Sequence, residues 1–508
     1  MPIIHSLISW YLRKRENALQ RIVYQPHDVQ QEMLTKLLRT AKDTAWGKQY
    51  GYEHLKNSEQ FKREVPVGNY ETHKPYIDRI MQGEQNVLWP SEIKWFAKSS
   101  GTTAAKSKFL PVTYESLDEC HFQGGKDTLM MYILNNDNAN VFDGKGLIIG
   151  GSHQLNRLYN DSFYGDLSAV MMQNMPFWAH FFRTPELSIA IMENWDEKIN
   201  RMAWATVGED VTNISGVPTW TLMLIDKLFE ITGKKNLIEI WPNLELYIHG
   251  GVSFEPYRER FKKLIKASNM HYYETYNASE GFLGIQYSLN QSDLLLMLDY
   301  GIYFEFMPMS EYGKDHPKTY DLHEVRVDEN YALIISTNSG LSRYIIGDTI
   351  KFTSTNPYLF KITGRTRHFL NAFGEELIIE NADRAITESC MAFNATLAEY
   401  TVAPIFHENN TVGTHEWLIE FEEEPENMEE FSIYLDQKLK SINSDYEAKR
   451  YNNIAMTFPI VAKLPKGSFH EWMKRNGKLG GQHKVPRLCN ERTYVDEIIS
   501  HLSKISVR

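Results

Sequence analysis

Over the first ninety residues the apolar positions recur at three- and four-residue intervals, and Leu34, Leu37 and Leu38 fall on one helical face. The pattern changes at residue 93. A short strand, a polar Ser/Gly/Thr loop and a second strand over Phe109–Val112 fill 93–113, and helical spacing returns over 114–135. Leu147-Ile148-Ile149 reads as a buried strand closed by Gly150-Gly151. Helices dominate 160–240, including one around Trp220–Ile231 that stops at Gly233. Leu244–Ile248 is a strand running into Gly250-Gly251, 255–267 a basic amphipathic helix, and Tyr272-Tyr273 the start of another strand. From about 283 to 362 strands prevail, at Ile302–Met307, Tyr331–Ser336, Thr349–Phe352 and Tyr358–Ile362. Beyond 366 a helix over 380–392, a strand Glu416–Phe421, an acidic loop 422–430, a helix 429–443 and a strand Ala455–Ile460 predict a small mixed domain. A hinge is expected near Gly364–Phe369, giving an α/β chain in two parts, 1–365 and 366–508.

A length of 508 residues, with 42% hydrophobic content, agrees with two cores rather than one. The net charge of −11 argues against a nucleic-acid partner, which calls for a basic face. Three separated cysteines, Cys120, Cys390 and Cys489, form no CxxC pair and suggest neither a zinc site nor a disulfide framework. A reducing, cytoplasmic setting and a monomer are expected. The apolar start, Met1 to Leu12, is followed rather than preceded by its basic residues, Arg13, Lys14 and Arg15. It reads as an amphipathic helix packed on the body, or as a weak membrane-surface helix, and not as a signal peptide. No apolar run reaches the length of about 18 residues that a membrane span requires.

The stretch Lys98-Ser99-Ser100-Gly101-Thr102-Thr103-Ala104-Ala105-Lys106-Ser107-Lys108 lies between two expected strands. It offers hydroxyls, backbone N–H groups and lysines with no acid among them. Gly101 permits close approach to an anion, and Lys108 can add a point charge on phosphate. Walker A spacing is absent, and composition alone fits a polar surface hairpin as well. Three further segments shift that balance. His249-Gly250-Gly251-Val252-Ser253 puts glycines after a strand, where a flat ring can lie against backbone. Tyr276-Asn277-Ala278-Ser279-Glu280-Gly281 offers one carboxylate for Mg²⁺, which takes one or two carboxylates plus phosphate oxygens. Ser339 to Asp348 ends in a glycine and a carboxylate able to accept both hydroxyls of a ribose. Gly364-Arg365 adds a phosphate or ribose contact. Alone, the first also fits an ordinary strand-to-helix turn, the second a solvated turn and the third a hairpin turn.

Other chemistries lack their residues. There is no HExxH or metal-ligand cluster, Gly150 to Gln154 lacks the last glycine of a nucleophile elbow, and Gly144-Lys145-Gly146 lacks the rest of a dinucleotide fingerprint.

In this order and spacing the segments resemble the GH3 family of acyl acid–amido synthetases, of the adenylate-forming superfamily that includes acyl-CoA synthetases and luciferases. The likeness covers nearly the whole chain. Ser99 to Thr103 with Lys108, Tyr276 to Glu280, and Leu341 to Asp348 match three motifs, and Pro465 to Phe469 and Gln482 to Arg487 match the ending. The chain reads as a bacterial-type member of that family; it departs from the pattern at Ala105, where many members carry a second loop glycine, at Ile345, where plant members usually carry a second arginine, and at Arg367, where the hinge residue is often acidic, so the family's roles at these positions do not carry over.

The resemblance implies a large adenylation domain, with mixed β-sheets and a β-barrel flanked by helices, and a small mobile α+β C-terminal domain. ATP and Mg²⁺ are implied, with a small carboxylic acid and an amine, in particular an amino acid, as partners. Ser99, Ser100, Gly101, Thr102, Thr103 and Lys108 would hold the leaving phosphates. Gly250, Gly251, Val252 and Ser253 would border the adenine and acyl groups. Tyr276 would stack on the adenine, and Asn277, Ala278 and Ser279 would belong to the same ATP site. Glu280 would hold Mg²⁺, Asp348 the ribose, and Arg365 the nucleotide near the hinge. Lys484 would stabilise charge at the α-phosphate, with a solvated surface lysine as the plainer alternative. Phe122, Met130, Met172, Trp178 and Trp220 fall in the region expected to line the acyl pocket. An acyl-CoA ligase, and a silent adenylation fold that only binds a ligand or partner, are the competing readings.

Overall fold

The helical spacing near the N-terminus folds as Pro26–Ala41, which buries Val29, Met33, Leu34, Leu37, Leu38 and Ala41. Gln30 lies on the same face. Its amide donates to the carbonyls of Leu298 and Ile302 and accepts the N–H of Phe304, so the helix covers a sheet edge and satisfies its open backbone groups.

The computed structural model describes residues 15–99, 108–150, 156–158, 161–192, 194–251, 254–366, 369–370, 372–373, 375, 377–406, 413–450, 456–476 and 484–505. Ser100, Gly101, Thr102, Thr103, Ala105, Val252, Ser253, Arg367 and the segment Met1 to Leu12 lie outside these residues, as does the Trp178 side chain. The chain divides into two units, Met1–Gly251 with Ala267–Ile362, and Val252–Lys266 with Thr363–Arg508.

In chain order the first unit's strands are β1 (Trp95–Ser99), β2 (Lys108–Val112), β3 (Lys145–Ile149), β4 (Asn156–Arg157), β5 (Phe163–Gly165), β6 (Arg183–Thr184), β7 (Val211–Gly216), β8 (Leu246–Gly250), β9 (His271–Ala278), β10 (Gly281–Ser288), β11 (Gln291–Leu296), β12 (Ile302–Pro308), β13 (Asn330–Thr337), β14 (Tyr344–Thr355) and β15, Tyr358–Arg365, which runs on into the second unit. An eleven-stranded sheet has the order β12-β13-β14-β15-β11-β10-β9-β8-β7-β3-β6, and a four-stranded one the order β2-β1-β5-β4. From β6 to β9 neighbours are parallel, and β9 to β10 begins the antiparallel half. The changeover falls at the hairpin carrying Ser279 and Glu280. The carboxyl ends of β3, β8 and β9, where parallel sheets bind ligands, reach Ile149, Gly250 and Ala278.

In the second unit β16 (Phe369–Leu370) and β17 (Leu377–Ile378) pair, and β18 (Thr396–Phe406), β19 (Gly413–Glu423) and β20 (Ile460–Leu464) form a three-stranded sheet. Helices Ile379–Ala392 and Met428–Ile442 share the core with Tyr400, Trp417 and Phe421. One expectation is corrected. The strand placed at Ala455–Ile460 starts where that stretch ends, because Ile460 pairs with Glu416 in the parallel register. The longer β18 was not anticipated, since Ala398, Glu399, Ala403 and Pro404 dilute its strand signal. Among the described residues no helix is long and apolar enough to cross a membrane.

Candidate active site

The hairpin Tyr276–Gly281 and strand β14 meet in two rungs. Asp348 forms the first. Between the pairs Ile334–Ile345 and Ala332–Thr349, three residues of β14 stand opposite Leu333 alone. This bulge is possible because Gly347 takes φ +96°, a conformation that favours glycine. Asp348 leaves the bulge only 8% exposed and accepts a hydrogen bond of 2.5 Å from the Tyr276 hydroxyl. The Tyr276 ring is itself buried, with Phe360 6.2 Å away between centroids. Its clearest contact is thus with the carboxylate expected to take the ribose.

The second rung is Tyr344 with Glu280. Tyr344 is fully buried, and its hydroxyl hydrogen-bonds the Glu280 carboxylate. Burial first, and then the charge of Glu280, holds this phenol well above its ordinary range. It therefore stays protonated and donates to Glu280. Lys108 approaches the same hydroxyl, with Nζ 3.5 Å away and 6.0 Å from the ring centroids of Tyr70 and Tyr344. Ser99 and Lys108 face each other across the β1–β2 pair, so both ends of the hydroxyl-rich loop are fixed beside this rung. Among the described residues no three His, Cys, Asp or Glu side chains gather as a metal cluster. A single carboxylate fits Mg²⁺ only with phosphate oxygens completing its shell, and Glu280 shares the Tyr344 hydroxyl with Lys108, at one end of the loop expected to meet phosphate.

Gly250 ends β8 opposite Thr275, and a Cβ there would lie 2.4 Å from the Thr275 carbonyl oxygen. Only glycine fits, and Gly251 follows at φ +79°. Asn277 and Ala278 end β9, with Asn277 exposed and Ser279 buried.

A histidine the sequence did not single out supports this hairpin. His121 lies on a π-helical turn, Ser116–Phe122, and its Nδ1 is 3.0 Å from Asn277 Oδ1. It is 2% exposed, and burial drives its pKa down from 6.5 to about 4 against the help of that bond. The imidazole is neutral, with Nδ1–H donating to Asn277. Between those two values the unfolded chain binds a proton that the folded chain does not, so stability falls as pH drops through the window. At about 1.4 kcal/mol per unit the loss is about 3 kcal/mol. Denaturant midpoints at pH 7.5 and 4.5 should therefore separate more for the wild type than for His121→Asn. Parallel profiles would remove His121 as the source.

Arg343, in the same motif as Asp348, points elsewhere. It takes φ +45°, is 3% exposed, and spends its guanidinium on Glu305, on the carbonyls of Lys62 and Val65, and on the Thr319 hydroxyl. It locks the motif to the N-terminal helices rather than serving a ligand. Arg343→Ala would strand the buried Glu305 carboxylate and should cost about 3–5 kcal/mol of unfolding free energy, read as a lower denaturant midpoint. Paired apolar replacement of Arg343 and Glu305 should cost far less.

In the expected acyl region Met130 and Met172 are each 2% exposed, and Phe122 is partly buried. Met172 and Ser168 close over Gly150 at the end of β3. Trp220 packs on Trp195, between the helices Pro218–Thr232 and Trp195–Thr206. Arg365 and Lys484 belong to the second unit. Arg365 ends β15, and Lys484 is exposed just before the buried Val485.

Comparison with solved structures defines the fold class. The chain overlays a GH3.15 acyl acid amido synthetase with TM-score 0.79 at 17% identity, covering 95% of each chain. It overlays 2-hydroxyisobutyryl-CoA ligase in the postadenylation state with TM-score 0.57 at 12% identity, covering 94% of this chain and 91% of that one. This is the fold of adenylate-forming enzymes. Residues 15–270 match the GH3 family N-terminal domain, 295–365 its central domain and 380–493 its C-terminal domain. The chain therefore belongs to the GH3 family of acyl acid–amido synthetases, a family of ligases. Among curated relatives it is 24% identical to indole-3-acetic acid-amido synthetase GH3.3 of Arabidopsis thaliana, over 93% of this chain and 90% of that protein. It is 21% identical to the 4-substituted benzoates-glutamate ligase GH3.12 of the same plant, over 93% and 94%.

Proposed function

We propose that this protein uses ATP to convert a small carboxylic acid to its acyl-adenylate and then transfers the acyl group to the amine of an amino acid, in the cytoplasm and as a monomer. The observation that carries the reading is the pair of rungs, Tyr276–Asp348 and Glu280–Tyr344, with Lys108 on the second. They bring three motifs, separated in sequence, together near the carboxyl end of β9.

The chemistry needs no protein nucleophile. The substrate carboxylate attacks the α-phosphorus in line and pyrophosphate leaves, so the protein's part is positioning and charge stabilisation. Ser99, Ser100, Gly101, Thr102, Thr103 and Lys108 hold the departing phosphates. Asp348 accepts the ribose hydroxyls and Tyr276 keeps that carboxylate aimed. Gly250, Gly251, Val252, Ser253, Asn277, Ala278 and Ser279 border adenine and acyl group, and Arg365 steadies the nucleotide. Mg²⁺ on Glu280 would neutralise phosphate charge. Lys484 acts at the α-phosphate. The C-terminal part, mobile about the Gly364–Phe369 hinge, then withdraws it for attack of the amine on the acyl carbonyl, releasing AMP.

The test is acid-dependent ATP–pyrophosphate exchange over a library of aromatic, indole-like and fatty acids, followed by product analysis with amino acids and with coenzyme A. Exchange plus an amide supports the reading. A thioester product would make the protein an acyl-CoA ligase, and no exchange with any acid would leave only a binding role.

A further inference from the structure

The last motif, Gln482 to Arg487, contains a residue that the reaction does not use directly. Arg487 is 8% exposed, three positions after the exposed Lys484. Its Nη1 donates to Asp383 Oδ1 at 2.9 Å, and its Nη2 donates to the Tyr257 hydroxyl at 2.8 Å and lies 3.1 Å from Glu399 Oε1. The guanidinium stacks 4.5 Å above the Tyr400 ring. The partners close on each other, because Tyr400 donates to Asp383 at 2.6 Å and Tyr257 donates to Glu399 at 3.1 Å. Burial opposes the charge, but Glu399, Tyr257 and Asp383 outweigh it, and the cation is held.

The backbone here is tied as closely as the side chain. The Arg487 carbonyl accepts the N–H of Val402 at 2.8 Å, the Val402 carbonyl accepts the N–H of Cys489 at 3.1 Å, and the Pro486 carbonyl accepts the Thr401 hydroxyl. Val485 sits in a small core with Phe469 and Trp472. Lys484 thus immediately precedes four residues, Val485 to Leu488, that are fastened to the second unit. Tyr257 has its own significance. It lies on Val252–Lys266, which leaves the Gly250-Gly251 strand end and clusters with the second unit, where Arg260 pairs with Glu422 at 2.7 Å and Lys263 with Glu423.

We propose that Arg487 is a positioning residue for adenylation: through Asp383, Glu399 and Tyr257 it fixes the segment that presents Lys484, and joins it to the segment that follows Gly250-Gly251. This rests on the reading of Lys484 as the residue acting at the α-phosphate. It assigns to the Arg487–Tyr257 contact a role in the first half-reaction alone. In the second, Lys484 is withdrawn and its placement no longer limits the rate.

The full-length protein is assayed in two ways, by ATP–pyrophosphate exchange and by aminolysis of a supplied acyl-adenylate, with rates normalised to the folded fraction from thermal melts. Lys484→Ala should lower exchange by about 100-fold, the scale of losing one charge-stabilising donor. Arg487→Lys keeps a cation but loses the fork, and should lower exchange at least tenfold while leaving aminolysis within twofold. Tyr257→Phe removes one hydroxyl and should fold normally, so it tests the contact even if Arg487 variants do not. It should give a smaller loss, confined to exchange. Combined with Lys484→Ala, neither substitution should reduce exchange further. Equal losses in both half-reactions, or losses that multiply with Lys484→Ala, would overturn the positioning role and leave Arg487 a stabilising residue. A wild type without exchange, or Lys484→Ala with full exchange, would instead overturn the reading on which it rests.

Discussion

Asp348→Ala is expected to reduce acid-dependent pyrophosphate exchange by about 100-fold or more, with most of the loss in apparent ATP affinity. A carboxylate that accepts two ribose hydroxyls contributes about 1.5–3 kcal/mol per charge-assisted bond. Losing both removes about 3 kcal/mol or more, and each 1.4 kcal/mol is about tenfold in rate or affinity. The Tyr276–Asp348 bond supplies the control. Tyr276→Phe keeps the ring and the carboxylate but gives up one hydrogen bond, worth about 1 kcal/mol. If Asp348 binds ribose, its alanine variant should be worse than Tyr276→Phe by more than tenfold. If Asp348 only anchors Tyr276, the two variants should match, and deoxyribose analogues of ATP should be used as well as ATP. A ribose contact predicts that 2′-deoxy-ATP discriminates strongly in the wild type and hardly at all in Asp348→Ala.

The sequence made parts of this site legible because local rules produced them. A polar glycine-containing loop between two apolar runs became the β1–β2 hairpin, with Ser99 opposite Lys108. A glycine after an apolar run marked the end of β8, where the Thr275 carbonyl leaves no room for a side chain. What escaped depended on contacts between distant residues. Arg343 and Asp348 look like two polar members of one motif, yet the chain leaves Arg343 in a left-handed conformation toward Glu305, while the Gly347 bulge carries Asp348 to Tyr276. Only the bulge has a local sign, Gly347; the direction of Arg343 depends on Glu305, 38 residues earlier. His121 was hidden by its setting, since a single histidine in a helical run is most often a core residue, and only the fold brings it to Asn277. The stretch 255–267 read as a basic amphipathic helix, and Arg258–Leu264 is one, but the grouping of this stretch with the C-terminal unit follows from Tyr257, Arg260 and Lys263, whose partners come more than 130 residues later.

Glu280 is where replacement should cost most in turnover, and the second rung makes its two possible roles separable. Glu280→Ala removes both the carboxylate that would hold Mg²⁺ and the acceptor for Tyr344, and exchange should fall by about 100- to 1,000-fold, the range for deleting one preorganised charge-stabilising group. Glu280→Gln can still accept the Tyr344 hydroxyl but loses the negative charge. Tyr344→Phe keeps the charge but breaks the chain from Lys108 through Tyr344 to Glu280. A metal role predicts that Glu280→Gln raises the Mg²⁺ concentration needed for half-maximal exchange at least tenfold, with Tyr344→Phe close to wild type. A relay that merely orients Lys108 predicts the reverse order, with Tyr344→Phe the more damaging and Mg²⁺ dependence unchanged in both. The first outcome is the expected one on chemical grounds. Tyr344 stays protonated and so meets Glu280 as a neutral donor, and a hard divalent cation takes a carboxylate together with phosphate oxygens, the two kinds of group that this part of the site would bring together.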